Sequence, residues 1–243
     1  MNDKLRNLTC EAVGTFLLTF IGAGAILTTT WTKGDPGLVG IAFAHGIALA
    51  IAVSAAMNLS GGHINPAVTV SMLATGRIKA GDAVAYIIAQ CGGATIAGVL
   101  LNVIFKGVGA SGAGVLGADA ITACQLGTPN FGAAVPTGIA VLLEILMTFV
   151  LVYTVFGTAV DGRSPRIAGF GIGLSVAICI LLGGPITGGA MNPARTIGTL
   201  IGGGSATSHL WSQHWVYWVG PIAGGLLAAF LYDGLVRPKA NKG

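Results

Sequence analysis

The sequence predicts an all-α membrane protein of six transmembrane helices and two re-entrant half-helices arranged as an inverted repeat, and three observations carry that expectation. The first is composition. Of 243 residues, 53% are hydrophobic and 8% charged, with a mean hydropathy of +0.83, far from the roughly 25% charge of a soluble domain. The second is the spacing of charges. No Asp, Glu, Lys or Arg occurs in 12–32, 36–76, 83–105, 120–143, 145–160, 167–194 or 196–232, and a spanning helix needs about 20 residues. The third is repetition. Asn65-Pro66-Ala67 recurs as Asn192-Pro193-Ala194 inside stretches that align without a gap, Ser60 on Thr187 through Thr69 on Thr196, and Gly46 falls on Gly173 in the same register.

The elements follow in order. The first span covers about 8–30; its apolar stretch is long and Glu11 interrupts its start, so it reads as a helix that stays in the membrane and not as a cleavable signal. The second covers 37–58. The charge-free stretches ending at Gly76 and Ala194 are long enough for a span plus a further short segment, and each carries its Asn-Pro-Ala near the distal end. Proline suits the first turn of a helix, where its missing N–H has no intrahelical partner, and a preceding asparagine caps. Half-helices are therefore expected to begin at Pro66 and Pro193. The remaining spans cover 82–104, 136–158, 167–184 and 214–236. The whole of 1–243 reads as one domain, with half-repeats at about 8–105 and 136–236 joined by a Gly- and Ala-rich loop at 106–135. The forty glycines suit helices whose backbones touch in lipid.

Orientation follows from the basic residues, which cytoplasmic loops retain. Lys4, Arg6, Arg77, Lys79, Arg163, Arg166, Arg237, Lys239 and Lys242 fall on one side of this arrangement, and only Lys33 and Lys106 lie in loops on the other. Both termini are expected to be cytoplasmic, in the cell membrane. The pI of 9.0 reflects that topology, so nucleic acid is not an expected partner; the lipid bilayer is. Cys10, Cys91, Cys124 and Cys179 show no metal-ligand spacing; three sit in predicted helices, and Cys124, in the long loop, is the one to test by cross-linking.

Three spans in each half force the halves into opposite orientations, so the half-helices enter from opposite faces and their N-termini meet near the midplane. Two positive dipole ends and the amides of Asn65 and Asn192 then converge on one point, which repels cations. The non-helical segments before each asparagine, Gly61, Gly62, His63 and Ile64 and then Gly188, Gly189, Ala190 and Met191, expose carbonyls, tolerable at that depth only beside protein or a wet cavity. They form a ladder of acceptors for a polar neutral solute.

With these residues in view the chain resembles an aquaporin, a member of the major intrinsic protein family, over essentially its whole length. The second motif extended to Asn192-Pro193-Ala194-Arg195, the segment from His214 to Pro221, and the starts Glu11-Ala-Val-Gly-Thr-Phe and Glu144-Ile-Leu-Met-Thr-Phe carry the likeness. The resemblance implies a passive, proton-excluding water channel without cofactor or enzymatic activity, a homotetramer with one conduit per subunit, and an extracellular filter at His45, Ile180, Gly189 and Arg195. That filter is similar to one group of plant tonoplast intrinsic proteins. Ile and Gly opposite Arg195 leave a wider, partly apolar opening, which extends the expected solutes to ammonia or hydrogen peroxide. Thr196 and the pair Tyr217-Trp218 are similar to water channels of the family and not to its glycerol facilitators, whereas Leu200 departs from the small residue water channels carry there.

Each residue has a plainer reading beside the functional one. Arg195 in a charge-free segment costs about 2.5–3.5 kcal/mol at the centre of a spanning helix, and it acts either as a filter cation or as a side chain reaching for the interface. His45 is a filter donor or a satisfied core histidine. His63 offers its carbonyl while its side chain braces the loop. Glu11 and Glu144 invite a proton-relay reading, but their symmetric placement favours structural acceptors for the re-entrant loop of their own half. His209 and His214 read as interface residues. A broader glycerol or urea facilitator is the rival within the class. A secondary active transporter, which also uses broken helices but needs a coupling-ion site, is the rival outside it.

Overall fold

The structure, a computed structural model, describes residues 2–110, 117–164 and 167–237. Arg166, Lys239 and Lys242, used above for orientation, lie outside the described residues, as does part of the 106–135 loop. Among the described residues the helices are α1 (Asp3–Trp31), α2 (Gly37–Ala56), α3 (Pro66–Ala74), α4 (Ala80–Ala110), α5 (Gly117–Ala123), α6 (Thr137–Val155), α7 (Ala168–Thr187), α8 (Pro193–Gly203) and α9 (Val216–Leu231), with no strand. Six segments are long and apolar enough to span a membrane, and the short α3 and α8 are the half-helices.

Helix limits differ from the sequence expectation for local reasons. α1 starts at Asp3 because Asn2 caps it, its side-chain oxygen accepting from the Lys4 N–H at 3.0 Å. The last span is prefaced by a 3-10 turn, Ser208–Gln213. α6 and α9 each run on into a single π-helical turn, Phe156–Val160 and Tyr232–Val236. The loop contains α5 and a 3-10 turn at Gln125–Gly127.

Packing repeats between halves. α1 lies on α2 and α4 as α6 lies on α7 and α9, and α2 crosses α7 at the junction of the halves. At that crossing a Cβ on Gly46 would stand 2.6 Å from the Gly173 carbonyl oxygen, and one on Gly173 2.1 Å from the Gly46 oxygen; only two glycines let the helices approach this closely. The polarity of the bundle is inverted relative to a soluble protein. Glu11, Glu144, Gln90, Thr69 and Thr187 are wholly buried, while Ile88, Val103, Leu182 and Phe170 are 60–67% exposed, as a lipid-facing surface requires. Ion-paired side chains gather at one end, where Lys4 faces Asp82 and Arg77 and Arg237 face Asp233.

Candidate functional site: the junction of the half-helices

Asn65 and Asn192 adopt extended backbone and cap the half-helices that Pro66 and Pro193 begin. Asn65 Oδ1 accepts from the Ala67 N–H at 2.8 Å; Asn192 Oδ1 accepts from Ala194 and Arg195 at 3.1 and 3.2 Å. With the oxygens committed to the caps, each amide nitrogen crosses the junction. Asn65 Nδ2 donates to the Met191 carbonyl at 2.8 Å and Asn192 Nδ2 to the Ile64 carbonyl at 2.9 Å. The two helix starts therefore meet head to head, stitched by a reciprocal pair of bonds. The acceptor ladder is amended here: the Ile64 and Met191 carbonyls each have one lone pair engaged by the opposite asparagine, because an amide that caps with its oxygen has only its N–H groups left for the junction. Each amide keeps a second N–H.

Ile64 and Met191 hold left-handed backbone, φ 54° and 51°, a conformation that costs non-glycine residues about 1–3 kcal/mol. The two buried glutamates meet this cost. Glu11 Oε1 accepts from Ser60 Oγ at 2.6 Å and the His63 N–H at 3.0 Å; its Oε2 accepts from the Ile64 N–H at 2.6 Å and Gln90 Nε2 at 2.7 Å. Glu144 Oε1 accepts from Thr187 Oγ1 at 2.8 Å and the Ala190 N–H at 3.0 Å, and Oε2 from the Met191 N–H at 2.8 Å. Tyr86 and Tyr217 complete the match, their hydroxyls donating to the Ser60 and Thr187 carbonyls at 2.9 and 2.8 Å. Gln90 has no counterpart: the position in register with it in α9 is Pro221, so Glu11 has four donors and Glu144 three. Tyr86 and Gln90 do not stand out in the sequence, and Tyr217 does so only within the Tyr217-Trp218 pair; alignment of spans three and six on their tyrosines would have raised all three.

His63 Nδ1 lies 3.2 Å from Thr69 Oγ1. The Thr69 hydroxyl donates to the Asn65 carbonyl at 3.1 Å and accepts from Gln90 Nε2 at 3.0 Å, so the histidine supplies the proton and its side chain braces the loop. Gly61 and Gly62 precede it in left-handed turns, as do Gly188 and Gly189 in the second half.

Arg195 is 2% exposed, and its Nη2 stands 3.0 Å from His45 Nε2. His45 Nδ1 lies 2.8 Å from the Ile41 carbonyl, which can only accept; Nδ1 therefore carries the proton and Nε2 takes the arginine's. Arg195 Nη1 is buried without a partner among the described residues. Ile180 is buried against Gly189, where a Cβ would be 3.3 Å from Ile180 Cγ1. The filter candidates thus meet in two pairs, His45 with Arg195 and Ile180 with Gly189. Beyond them lies a cavity of about 310 Å³ lined by His45, Ile180, Gly188, Cys124, Thr128 and Asn130. Cys124 is half-buried there, its thiol donating to the Ala120 carbonyl at 3.0 Å; burial pushes that thiol up. His214 accepts from Trp218 Nε1 at 2.9 Å. A second cavity, about 810 Å³, opens at the charged end beside Asn58 and Asp161. Among the described residues no group of His, Cys, Asp or Glu could hold a metal.

Two half-helices meeting N-terminus to N-terminus inside a six-span bundle, with their capping asparagines and a buried arginine at the contact, define a membrane channel and not an enzyme. The family model described as major intrinsic protein matches residues 1–232, and the chain belongs to that family. It is 40% identical over 257 residues to a probable aquaporin, TIP3-2, of Arabidopsis thaliana, covering 99% of this chain and 87% of that protein. It is 41% identical over 242 residues to aquaporin TIP2-1 of the same plant, covering 96% and 88%, and 40% identical over 239 residues to aquaporin TIP4-4 of Zea mays, covering 95% and 86%. The X-ray structure of the aquaglyceroporin from Plasmodium falciparum superposes with a TM-score of 0.80 over 96% of this chain and 97% of that one; at 22% identity it speaks to the fold alone.

Proposed function

We propose that the protein conducts water passively in both directions, in single file, through the junction of α3 and α8. The observation that carries the reading is the reciprocal asparagine pair: each amide has one N–H committed to the opposite carbonyl and a second to offer a passing oxygen. A water that donates to the carbonyls of Gly61, Gly62 and His63 on one side, and of Gly188 and Ala190 on the other, is met at the centre by donors only and must turn around. Helix starts bring a charge equivalent of roughly +0.5 each to that point, and Arg195 adds a full one, which opposes protons and other cations.

The filter supports a second reading, that ammonia or hydrogen peroxide passes with water. His45 draws the Arg195 guanidinium aside, Gly189 presents no side chain, and Ile180 offers apolar surface. A coupled transporter is disfavoured because both intramembrane carboxylates are surrounded by backbone and side-chain donors, leaving neither to bind an ion. A homotetramer with one conduit per subunit, in the cell membrane with cytoplasmic termini, completes the proposal; the clustering of Arg77, Arg163 and Arg237 at the end bearing both termini supports the orientation, and protease protection with a tagged terminus tests it. Stopped-flow shrinkage of proteoliposomes is the test of conduction. Water flux well above that of empty vesicles and indifferent to membrane potential is expected, and shrinkage no faster than that of empty vesicles overturns the reading. Ile180→His should lower ammonia permeability relative to water; an unchanged ratio removes the second reading and leaves the first.

A further inference from the structure

We propose that Gly22 in α1 is a specificity-determining positioning residue, whose missing side chain leaves the space in which His45 holds Arg195 against the wall of the conduit. The inference rests on the filter reading above. A Cβ built on Gly22 would lie 2.3 Å from His45 Cδ2, 2.4 Å from Nε2 and 2.8 Å from Cε1. Its contact is thus with the ring edge that accepts from Arg195, at separations carbon atoms do not adopt. The ring is the outer end of a side chain, whereas α1 is wedged against α4, where a Cβ on Gly93 would be 2.0 Å from the Ala12 carbonyl oxygen. The ring therefore yields first. In yielding it forfeits the 2.8 Å bond to Ile41 and the 3.0 Å bond from Arg195.

The consequence falls on the arginine. Its Nη1 already lacks a protein partner, so loss of His45 leaves both ends of the guanidinium unpaired in a buried site, a condition relieved only by turning toward water in the lumen. A cation moved from wall to lumen narrows the opening and crowds it with N–H donors, which water, with two lone pairs, meets in file more readily than ammonia, with one. The repeat offers an internal control. With the first span of each half aligned on Glu11 and Glu144, and the second on Gly46 and Gly173, the mates of Gly22 and His45 are Val155 and Ile172, both packed in the apolar core. The half without the ring is also without the glycine.

The test compares wild type with Gly22→Ala, His45→Ala and the double variant in proteoliposomes, measuring water and ammonia permeability and the rate at which phenylglyoxal labels Arg195, read by peptide mass. Gly22→Ala is expected to lower the ammonia-to-water ratio and speed Arg195 labelling, each roughly tenfold, the size of a lost charge-assisted bond, and to add nothing once His45 is already alanine. An unchanged ratio with unchanged labelling, or an equal effect in the His45→Ala background, overturns the proposal. Should Gly22→Ala fail to fold while the double variant folds, the clash is with the ring and the proposal stands; should both fail, it falls. If wild-type vesicles pass water but no ammonia, the wider-solute reading is lost separately, and labelling of Arg195 alone decides the role of Gly22.

Discussion

Glu11 and Glu144 concentrate the energetics of the junction, because a carboxylate taken from water costs several kcal/mol and is tolerable only when charge-assisted bonds of about 1.5–3 kcal/mol each surround it. Glutamine is nearly isosteric but keeps one acceptor oxygen and turns an amide nitrogen toward groups that themselves donate. In Glu11→Gln that nitrogen must face either Ser60 Oγ and the His63 N–H or the Ile64 N–H and Gln90 Nε2; a backbone donor is stranded whichever way it turns, and the Ser60 hydroxyl or the Gln90 amide must also turn round to accept. In Glu144→Gln the nitrogen can be placed on the Oε2 side, where only the Met191 N–H points. Both substitutions are expected to destabilise, Glu144→Gln by about 1–3 kcal/mol, the cost of one stranded buried donor, and Glu11→Gln by more. Thermal unfolding in detergent checks the order, and a larger loss at Glu144 contradicts the account. The same comparison explains why the left-handed Ile64, an expensive choice for a β-branched residue, is braced more heavily than Met191.

At the scale of elements, the crossing of α2 and α7 depends on two glycines that cannot be enlarged. A side chain on Gly173 would begin 2.1 Å from the Gly46 oxygen, 2.7 Å from Ala50 Cβ and 3.0 Å from Ala50 N. Two of these are backbone atoms, which move only if the helices part. Gly173→Leu is therefore expected at or beyond the upper end of overpacking costs, about 3 kcal/mol, seen as loss of monodisperse protein on size exclusion. Gly92→Leu, on the exposed face of α4 with nothing within 4 Å of a Cβ, should be recovered at wild-type yield; equal losses would sink the argument. Much of this architecture was legible in the sequence because its signals are chemical and local. Asparagine before proline states both a cap and a first turn, and a charge-free run of sufficient length states a span. What escaped had no local signal. α5 is a short helix in a Gly- and Ala-rich stretch, Gln90 is an ordinary amide until Glu11 faces it, and Gly22 is one glycine among forty, distinguished only by the ring lying across it. The engagement of the Ile64 and Met191 carbonyls escaped for the same reason: it is set by contacts between halves far apart in the chain.

For the molecule as a whole, the two halves are stitched by the asparagines at the centre and clasped by one ion pair, Arg77 with Asp233, at the charged end. Arg77, which follows α3, makes a two-pronged bond to Asp233 at 2.6 and 2.8 Å and lays its guanidinium 5.0 Å from the centre of the Phe156 ring, so one side chain joins the first half to the ends of α6 and α9. Beside it, Asp161 closes the π turn of α6. It accepts from the Arg163 backbone N–H at 3.1 Å, from Arg163 Nε at 2.9 Å and from the Tyr232 hydroxyl at 3.1 Å, and it is ion-paired with the same guanidinium. The Arg163 side chain, with the backbone N–H of that residue and the Tyr232 hydroxyl, holds the Asp161 carboxyl well below the usual carboxylate range. A carboxylate depressed in the folded state contributes stability that is fully present above its unfolded value, about 3.9, and that is lost as pH falls through its folded value. Arg163 is 62% exposed, and screening by water keeps that contribution modest. Asp161→Asn removes the titration while keeping the shape. Wild type should therefore unfold at a higher temperature than Asp161→Asn throughout the neutral range, by an amount that does not change with pH there, and the difference should shrink only below about pH 4. Because every other carboxylate titrates alike in both proteins, the difference isolates this clasp. A gap that stays constant down to pH 3, or widens on acidification, would mean that Asp161 acts through packing and not through its charge.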